Sequence, residues 1–117
     1  IATMNIAIVG SRNAGNINLA QELEKRINIM EGDAIVSGGA RGIDTLAASY
    51  AKERNLKLIE LRPDYAKYGR GATFIRNRAI VEAADMVVAF WDGESRGTKY
   101  SIDYANKIGR TTLIVSI

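Results

Sequence analysis

Five short apolar runs, each followed or preceded by a helical pattern, constrain this chain more than any other feature. The runs are Ile6-Ala7-Ile8-Val9, Ala34-Ile35-Val36, Leu58-Ile59-Glu60-Leu61, Met86-Val87-Val88-Ala89-Phe90 and Leu113-Ile114-Val115. A strand that is apolar at nearly every position has both faces covered, which is the mark of a parallel sheet packed between helices. Between the runs, Leu19, Ala20, Leu23, Ile27 and Met30 recur at helical spacing. Further helices are predicted from about Ile43 to Arg54, Thr73 to Ala84 and Thr98 to Ile108. The stretch from Arg62 to Gly71, which holds the single proline, Pro63, reads as a loop. With right-handed crossovers, this alternation predicts an α/β fold: one doubly wound, mainly parallel five-stranded sheet with helices on both faces.

In such a sheet, ligands sit beyond the C-terminal strand ends. The glycines are distributed accordingly. Gly10, Gly15, Gly38, Gly39, Gly42, Gly93 and Gly97 all follow a strand, whereas Gly32 and Gly109 fall at the other edge and read as helix C-caps. The octapeptide Ser37-Gly38-Gly39-Ala40-Arg41-Gly42-Ile43-Asp44 stands where the second strand becomes a helix. Glycine permits positive φ there, and a helix N-terminus offers free N–H groups to an anion, so the segment reads as a phosphate cradle. Asp44 in the first helical turn either complements the helix dipole or bonds a ribose hydroxyl, and Arg41 either pairs with an acid such as Asp44 or faces the ligand. Gly10-Ser11-Arg12 can bond a phosphate through Ser11 and backbone N–H groups, with Arg12 adding charge. It is neither a P-loop nor a G-x-G-x-x-G turn. Asp92-Gly93-Glu94-Ser95-Arg96-Gly97-Thr98 is the third such loop: Gly97 permits close approach, and Thr98 caps the last helix or bonds a phosphate. Tyr65, Tyr68 or Trp91 can stack on a base, and Arg70 can meet a phosphate. Arg76 and Arg78, two residues apart, face different sides of their helix, Arg76 being assigned inward.

The inventory removes whole classes of chemistry. The chain has no cysteine and no histidine. That excludes a disulfide framework, a thiolate metal site and a Ser-His-Asp hydrolase. No metal and no cofactor is expected, and any catalysis must run on carboxylates, hydroxyls, Tyr, Lys or Arg. The 117 residues suffice for one domain, read as 4–117, with Ile1–Thr3 taken as a remnant ahead of a natural start at Met4. The net charge of +3 fits either a solvated surface or an arginine cluster facing an anion. No apolar run approaches the ~20 residues of a membrane span. A cytoplasmic protein with no membrane partner is the expectation.

Gly10-Ser11-Arg12, Ser37 to Asp44, Arg76-Asn77-Arg78 and Gly97-Thr98 together resemble the SLOG superfamily of Rossmann-like domains, related to the SMF/DprA and LOG proteins. Asp64-Tyr65, Tyr68-Gly69, Arg76-Asn77, Ala84-Asp85 and Ala89-Phe90 make the YspA-related branch the most similar. The resemblance runs from Asn5 to about Val115. It implies a domain that binds a nucleotide or nucleotide-derived ligand, as sensor or processing module, in phage or antiviral settings, and that self-associates, as a dimer. The implied ligand is a nucleoside monophosphate, ADP-ribose or a cyclic relative. It would be held by Gly10, Ser11, Arg12, Gly38, Gly39, Arg41, Gly42, Asp44, Tyr68, Arg76, Asn77, Gly97 and Thr98. Two alternatives stand beside it. A LOG-like phosphoribohydrolase would use Arg76, but the position of its glutamate holds Ser101, so cleavage would fall to Asp92 or Glu94. DprA-like binding of single-stranded DNA would use the same arginines, although the charge surplus is small and the aromatics are few.

Overall fold

Hydrogen bonding closes the five apolar runs into one sheet in the order β3-β2-β1-β4-β5, every neighbouring pair parallel. The strands are β1 (Asn5–Gly10), β2 (Ala34–Ser37), β3 (Lys57–Glu60), β4 (Met86–Trp91) and β5 (Thr111–Ser116). The computed structural model describes residues 3–117; Ile1 and Ala2, two of the three residues read as a remnant, lie outside the described residues. The helices are α1 (Leu19–Glu24), α2 (Ile43–Glu53), α3 (Tyr65–Tyr68), α4 (Ala72–Ala83) and α5 (Arg96–Lys107), with a 3₁₀ turn at Gly69–Gly71. No helix among the described residues is long and apolar enough to cross a membrane.

Alternation along the strands divides the core into two layers. Ile6 and Ile8 of β1 turn to one face, where they meet Leu19 and Leu23 of α1 and Ile43, Ala47 and Tyr50 of α2. Ala7 and Val9 turn to the other and meet Ile80 and Val81 of α4 and Ile102 and Ala105 of α5. Both faces of the central strand are therefore apolar because both are buried. The first layer is built largely from Ile, Leu, Phe and Tyr, the second from Ala, Val and Ile. The chain winds outward through β1, β2 and β3, then returns to lay β4 against the free edge of β1. The C-terminal ends of β1 and β4 are thus the topological switch point.

Three local expectations change. The periodicity from Leu19 to Met30 predicts one helix, but regular helix ends at Glu24, and only turns continue to Ile27. The β-branched and Asn-rich run Ile27-Asn28-Ile29 is a poor helix former, and packing of Ile27 and Ile29 on the core needs no helix. Gly32 consequently caps no helix; it sits at φ 92° in a turn before β2, whereas Gly109, at φ 77°, does follow the end of α5. The stretch read as a loop from Arg62 to Gly71 contains α3, because the Asp64 carboxylate caps it, accepting from the Lys67 N–H at 3.1 Å.

Carboxylates hold the edge away from the switch point. Buried Asp33 accepts from the N–H groups of Met4 and Met30, both at 2.9 Å. Asp85 accepts from the Asn5 N–H at 2.7 Å. These acids tie strand starts together.

Candidate functional site

β1 ends at Gly10 because nothing larger fits. A Cβ there would lie 2.6 Å from Ile43 Cγ1 and 2.7 Å from the Phe90 carbonyl oxygen. The chain then passes under α2: Ser11 N–H donates to the Phe90 carbonyl, and the Ile43 N–H donates to the Ser11 carbonyl, both at 3.2 Å. Gly42 caps α2 at φ 79° and ψ −125°, a conformation open mainly to glycine, and a Cβ there would collide with the Arg12 carbonyl. The loops after β1 and β2 are therefore locked together by backbone.

Gly38 makes a different approach possible. Arg76 of α4 sends its guanidinium across the octapeptide, and Nη1 donates to the Gly38 carbonyl at 2.7 Å. A Cβ on Gly38 would stand 2.6 Å from that nitrogen. Arg76 Nε donates to Asn77 Oδ1 at 2.9 Å, and Asn77 Nδ2 reaches the Gly97 carbonyl at 3.4 Å. Arg76-Asn77 is thus a bridge from the octapeptide to the start of α5. Asp44 lies beside it, accepting from the Ala40 N–H at 3.1 Å. Burial pushes the Asp44 carboxyl above the ordinary aspartate range, against the pull of the Ala40 N–H and of Arg76. The same burial lowers the Arg76 pKa, opposed by Asp44. Arg76 stays a cation because arginine starts so high.

The loop from β4 to α5 is organised by Asp92. Its Oδ1 accepts from the N–H groups of Glu94 at 2.9 Å and Ser95 at 2.8 Å, and these two bonds, Ser95 first, hold its carboxyl below the usual range. Trp91 Nε1 donates to the Ser95 carbonyl at 3.0 Å. The helix begins at Arg96, not at Thr98. Ser95 is the cap, its hydroxyl accepting from the Thr98 N–H at 3.3 Å and meeting Thr98 Oγ1 at 3.0 Å. A serine side chain reaches the N–H three residues on, so Thr98 falls inside the first turn and is buried.

These elements enclose a cleft of about 450 Å³ at the switch point. Gly10, Ser11 and Arg12 form one wall, Gly97, Thr98 and Ser101 the other, with Arg76, Asn77, Asp44 and Asp92 between. The Ser11 hydroxyl, on a residue only 2 % exposed, has no hydrogen-bond partner; it faces Asp92 without a bond of good geometry. A buried hydroxyl left unpaired costs about 1–3 kcal/mol. Ser37 Oγ, on the first residue of the octapeptide, is also buried and faces Asp44 without a bond of good geometry.

Other residues named from the sequence are placed elsewhere. Gly38, Gly39 and Arg41 line a neighbouring cleft with Tyr65, and Gly42 lines neither. Tyr68 lies outside both clefts, exposed on α3 with the Lys67 ammonium 5.1 Å from its ring centre. Glu94 and Arg70 are exposed and line neither, and Trp91 is tied to its own loop. Arg78 is exposed on the far side of α4 from the inward Arg76. Arg41 forms no ion pair with Asp44, whose carboxylate faces Ala40 and Arg76. Gly97 is not needed by the protein itself, since a Cβ would meet only Asn77 Nδ2 at 3.6 Å. Phe74 lines the cleft 43 % exposed, with Tyr100 edge-on at 4.9 Å, and Thr73, Ser95 and Asn13 join it. Phe74 belongs to the run Phe74-Ile75-Arg76-Asn77-Arg78 that resembles DprA, but the sequence assigns it no ligand role; the structure places its ring on the cleft. Ser101 donates to the Gly97 carbonyl at 3.2 Å. Among the described residues no group of three acids could hold a metal ion.

A parallel α/β sheet with glycine-bearing loops gathered over its switch point defines a Rossmann-like ligand-binding module. The chain belongs to the YspA, cpYpsA-related SLOG family, whose model matches residues 4–68. Two solved structures share the fold. DNA processing protein A from Helicobacter pylori, described for its mode of binding single-stranded DNA, superposes with a TM-score of 0.73 at 26% identity over 96% of this chain and 65% of its own. DNA processing protein A (DprA) from Streptococcus pneumoniae gives 0.76 at 24% identity, over 96% of this chain and 50% of its own. The chain thus spans about two thirds of the length of the first and half of the second. None of the curated proteins is significantly similar to it.

Proposed function

We propose that the domain binds a nucleotide or nucleotide-derived ligand (a nucleoside monophosphate, ADP-ribose or a cyclic relative) with a phosphate between the Gly10-Ser11 turn and the start of α5. The observation that carries this is the buried, unpaired Ser11 hydroxyl on the wall of a cleft also lined by Arg12, Arg76 and the first turn of α5. Unpaired donors, a helix N-terminus and two guanidinium groups are what an oxyanion needs. Phe74 offers an aromatic face for the base. Binding is favoured over hydrolysis, because Ser101 stands where a LOG-like enzyme carries glutamate and Asp92 is engaged by its own loop. Differential scanning fluorimetry against AMP, ADP-ribose and cyclic nucleotides tests the reading. A native-state ligand must raise Tm. No shift with any of them overturns it.

A second reading is supported by the exposed rings of Phe74 and Tyr65, which flank Arg12 and Arg76, and by the Helicobacter pylori neighbour: binding of single-stranded DNA. The two readings differ in salt dependence. For a single strand, log K falls against log salt with a slope of about −0.7 for each phosphate neutralised. Fluorescence anisotropy with labelled oligothymidine between low and physiological salt reads that slope; an undetectable signal at low salt removes this alternative.

A further inference from the structure

The cleft assigned to the nucleotide has a neighbour with a larger share of arginine. A second cleft, of about 410 Å³, opens across Arg12, Ala40 and Arg76, which line both. The first cleft sets Arg12 and Arg76 against two carboxylates, Asp44 and Asp92. The second is lined by Arg12, Arg41, Arg62 and Arg76, with no carboxylate among its lining residues. Glu60 is not among the lining residues, but it pairs with Arg62 at the rim, Oε2 accepting from Nε at 3.2 Å and Nη2 at 2.9 Å, with its carboxyl carbon 3.0 Å from where a Gly39 Cβ would stand. Arg41 makes no ion pair among the described residues. The Asp44 carboxylate that partly balances Arg76 lines the first cleft and also lies against Gly38 and Ala40 at the boundary of the second, 3.0 Å from where a Gly38 Cβ would stand. With Arg62 paired to Glu60 and Arg76 partly balanced by Asp44, the four guanidinium groups still leave an excess of positive charge around one concavity, which a bound anion would offset. Pro63 and the exposed Tyr65 close the outer rim.

We infer that the arginine-lined cleft is a second anion subsite, and that the preferred ligand carries a second phosphate there, joined across Arg12 and Arg76 to the nucleoside phosphate in the first cleft. The inference rests on the nucleotide reading of the first cleft and narrows its ligand class to nucleoside diphosphates and pyrophosphate-linked nucleotides. A monophosphate fills one cleft and leaves the charge of the other uncompensated. Arg62 and Arg41 then discriminate between the two ligand classes, because they line only the second cleft.

Isothermal titration of AMP, ADP and the trinucleotide d(TpTpT) into the protein and its Arg62→Gln and Arg41→Gln variants tests this. Circular dichroism verifies that each variant is folded. The expected result is that ADP binds about tenfold or more tightly than AMP, the scale of one charge-assisted contact. Either variant should lose most of that preference while AMP affinity changes less than about twofold. AMP binding with ADP no tighter overturns the second subsite and leaves the nucleotide reading standing. So does a variant that weakens AMP and ADP alike. Binding of neither mononucleotide overturns both, and binding of the trinucleotide alone assigns the arginines to a nucleic-acid backbone instead.

Discussion

Two glycines that look alike in sequence do opposite things in the structure. Gly42 is held at φ 79° with the Arg12 carbonyl where a Cβ would be, whereas Gly97 is an ordinary helical residue whose Cβ would make only a van der Waals contact with Asn77. Gly42→Ala should cost about 2 kcal/mol or more, the range for a forced backbone conformation with a clash added, as read by urea unfolding. Gly97→Ala should stabilise the free protein by about 0.5–1 kcal/mol, the usual gain for removing glycine from a helix, and should shrink the nucleotide-induced Tm shift. Ser11→Ala should also leave the free protein as stable or up to about 1 kcal/mol more so, since an unpaired buried hydroxyl is lost, while weakening ligand binding. Asp44 makes a pH-dependent case. Its folded pKa is raised by burial, so its contribution to stability is fully present below the ordinary value of 3.8 and is lost as pH rises through the folded pKa. Wild-type stability relative to Asp44→Asn should therefore fall across that window, measured by urea titrations from pH 3.5 to pH 7; a constant difference would contradict it. The sequence made Gly42 visible as punctuation, but not its partner, because Arg12 is thirty residues away and meets it through backbone.

At the level of elements, the strands were legible and the caps less so. Each apolar run holds a strand with its ends shifted by one or two residues, Leu61 falling outside β3; for the central β1, β2 and β4, burial on both faces writes itself as continuous hydrophobicity. The start of α5 is ambiguous in sequence because serine, threonine and glycine are all plausible at a helix start. The hydrogen bond from Thr98 N–H decides for Ser95. Ser95→Ala should cost about 1 kcal/mol in a denaturant titration, the usual worth of a cap. α3 was hidden because four residues are too few for periodicity, and only the Asp64 cap betrays it. Strand order was not legible at all. β3 and β5 read as apolar as the centre, yet both lie at edges, with Leu58 and Ile114 exposed. Nor could spacing show that the three glycine-bearing loops enclose two clefts rather than one, since the division is made by the Arg76 side chain crossing to Gly38.

For the whole molecule, the decisive arrangement is that the structural and the candidate functional acids occupy opposite edges of the sheet. Asp33 and Asp85 tie the strand starts, while Asp44 and Asp92 stand over the strand ends beside the arginines. A net charge of +3 therefore understates the field at the switch point. The backbone lock between Gly42 and the Ser11-Arg12 turn sets a rule for how such a domain can vary in length. Two inserted residues after Gly42 would slide one loop past the other and unseat the Ile43 N–H from Ser11. The same insertion after Gly15, at φ 62° with nothing within 4 Å, meets no such partner. Limited proteolysis and thermal melts of the two insertion variants should find the first unfolded or nicked and the second close to wild type. Novelty in chains built this way can then enter beyond the lock, in the free turn after β1 and the α3 segment, while the clamp itself keeps a fixed count of residues.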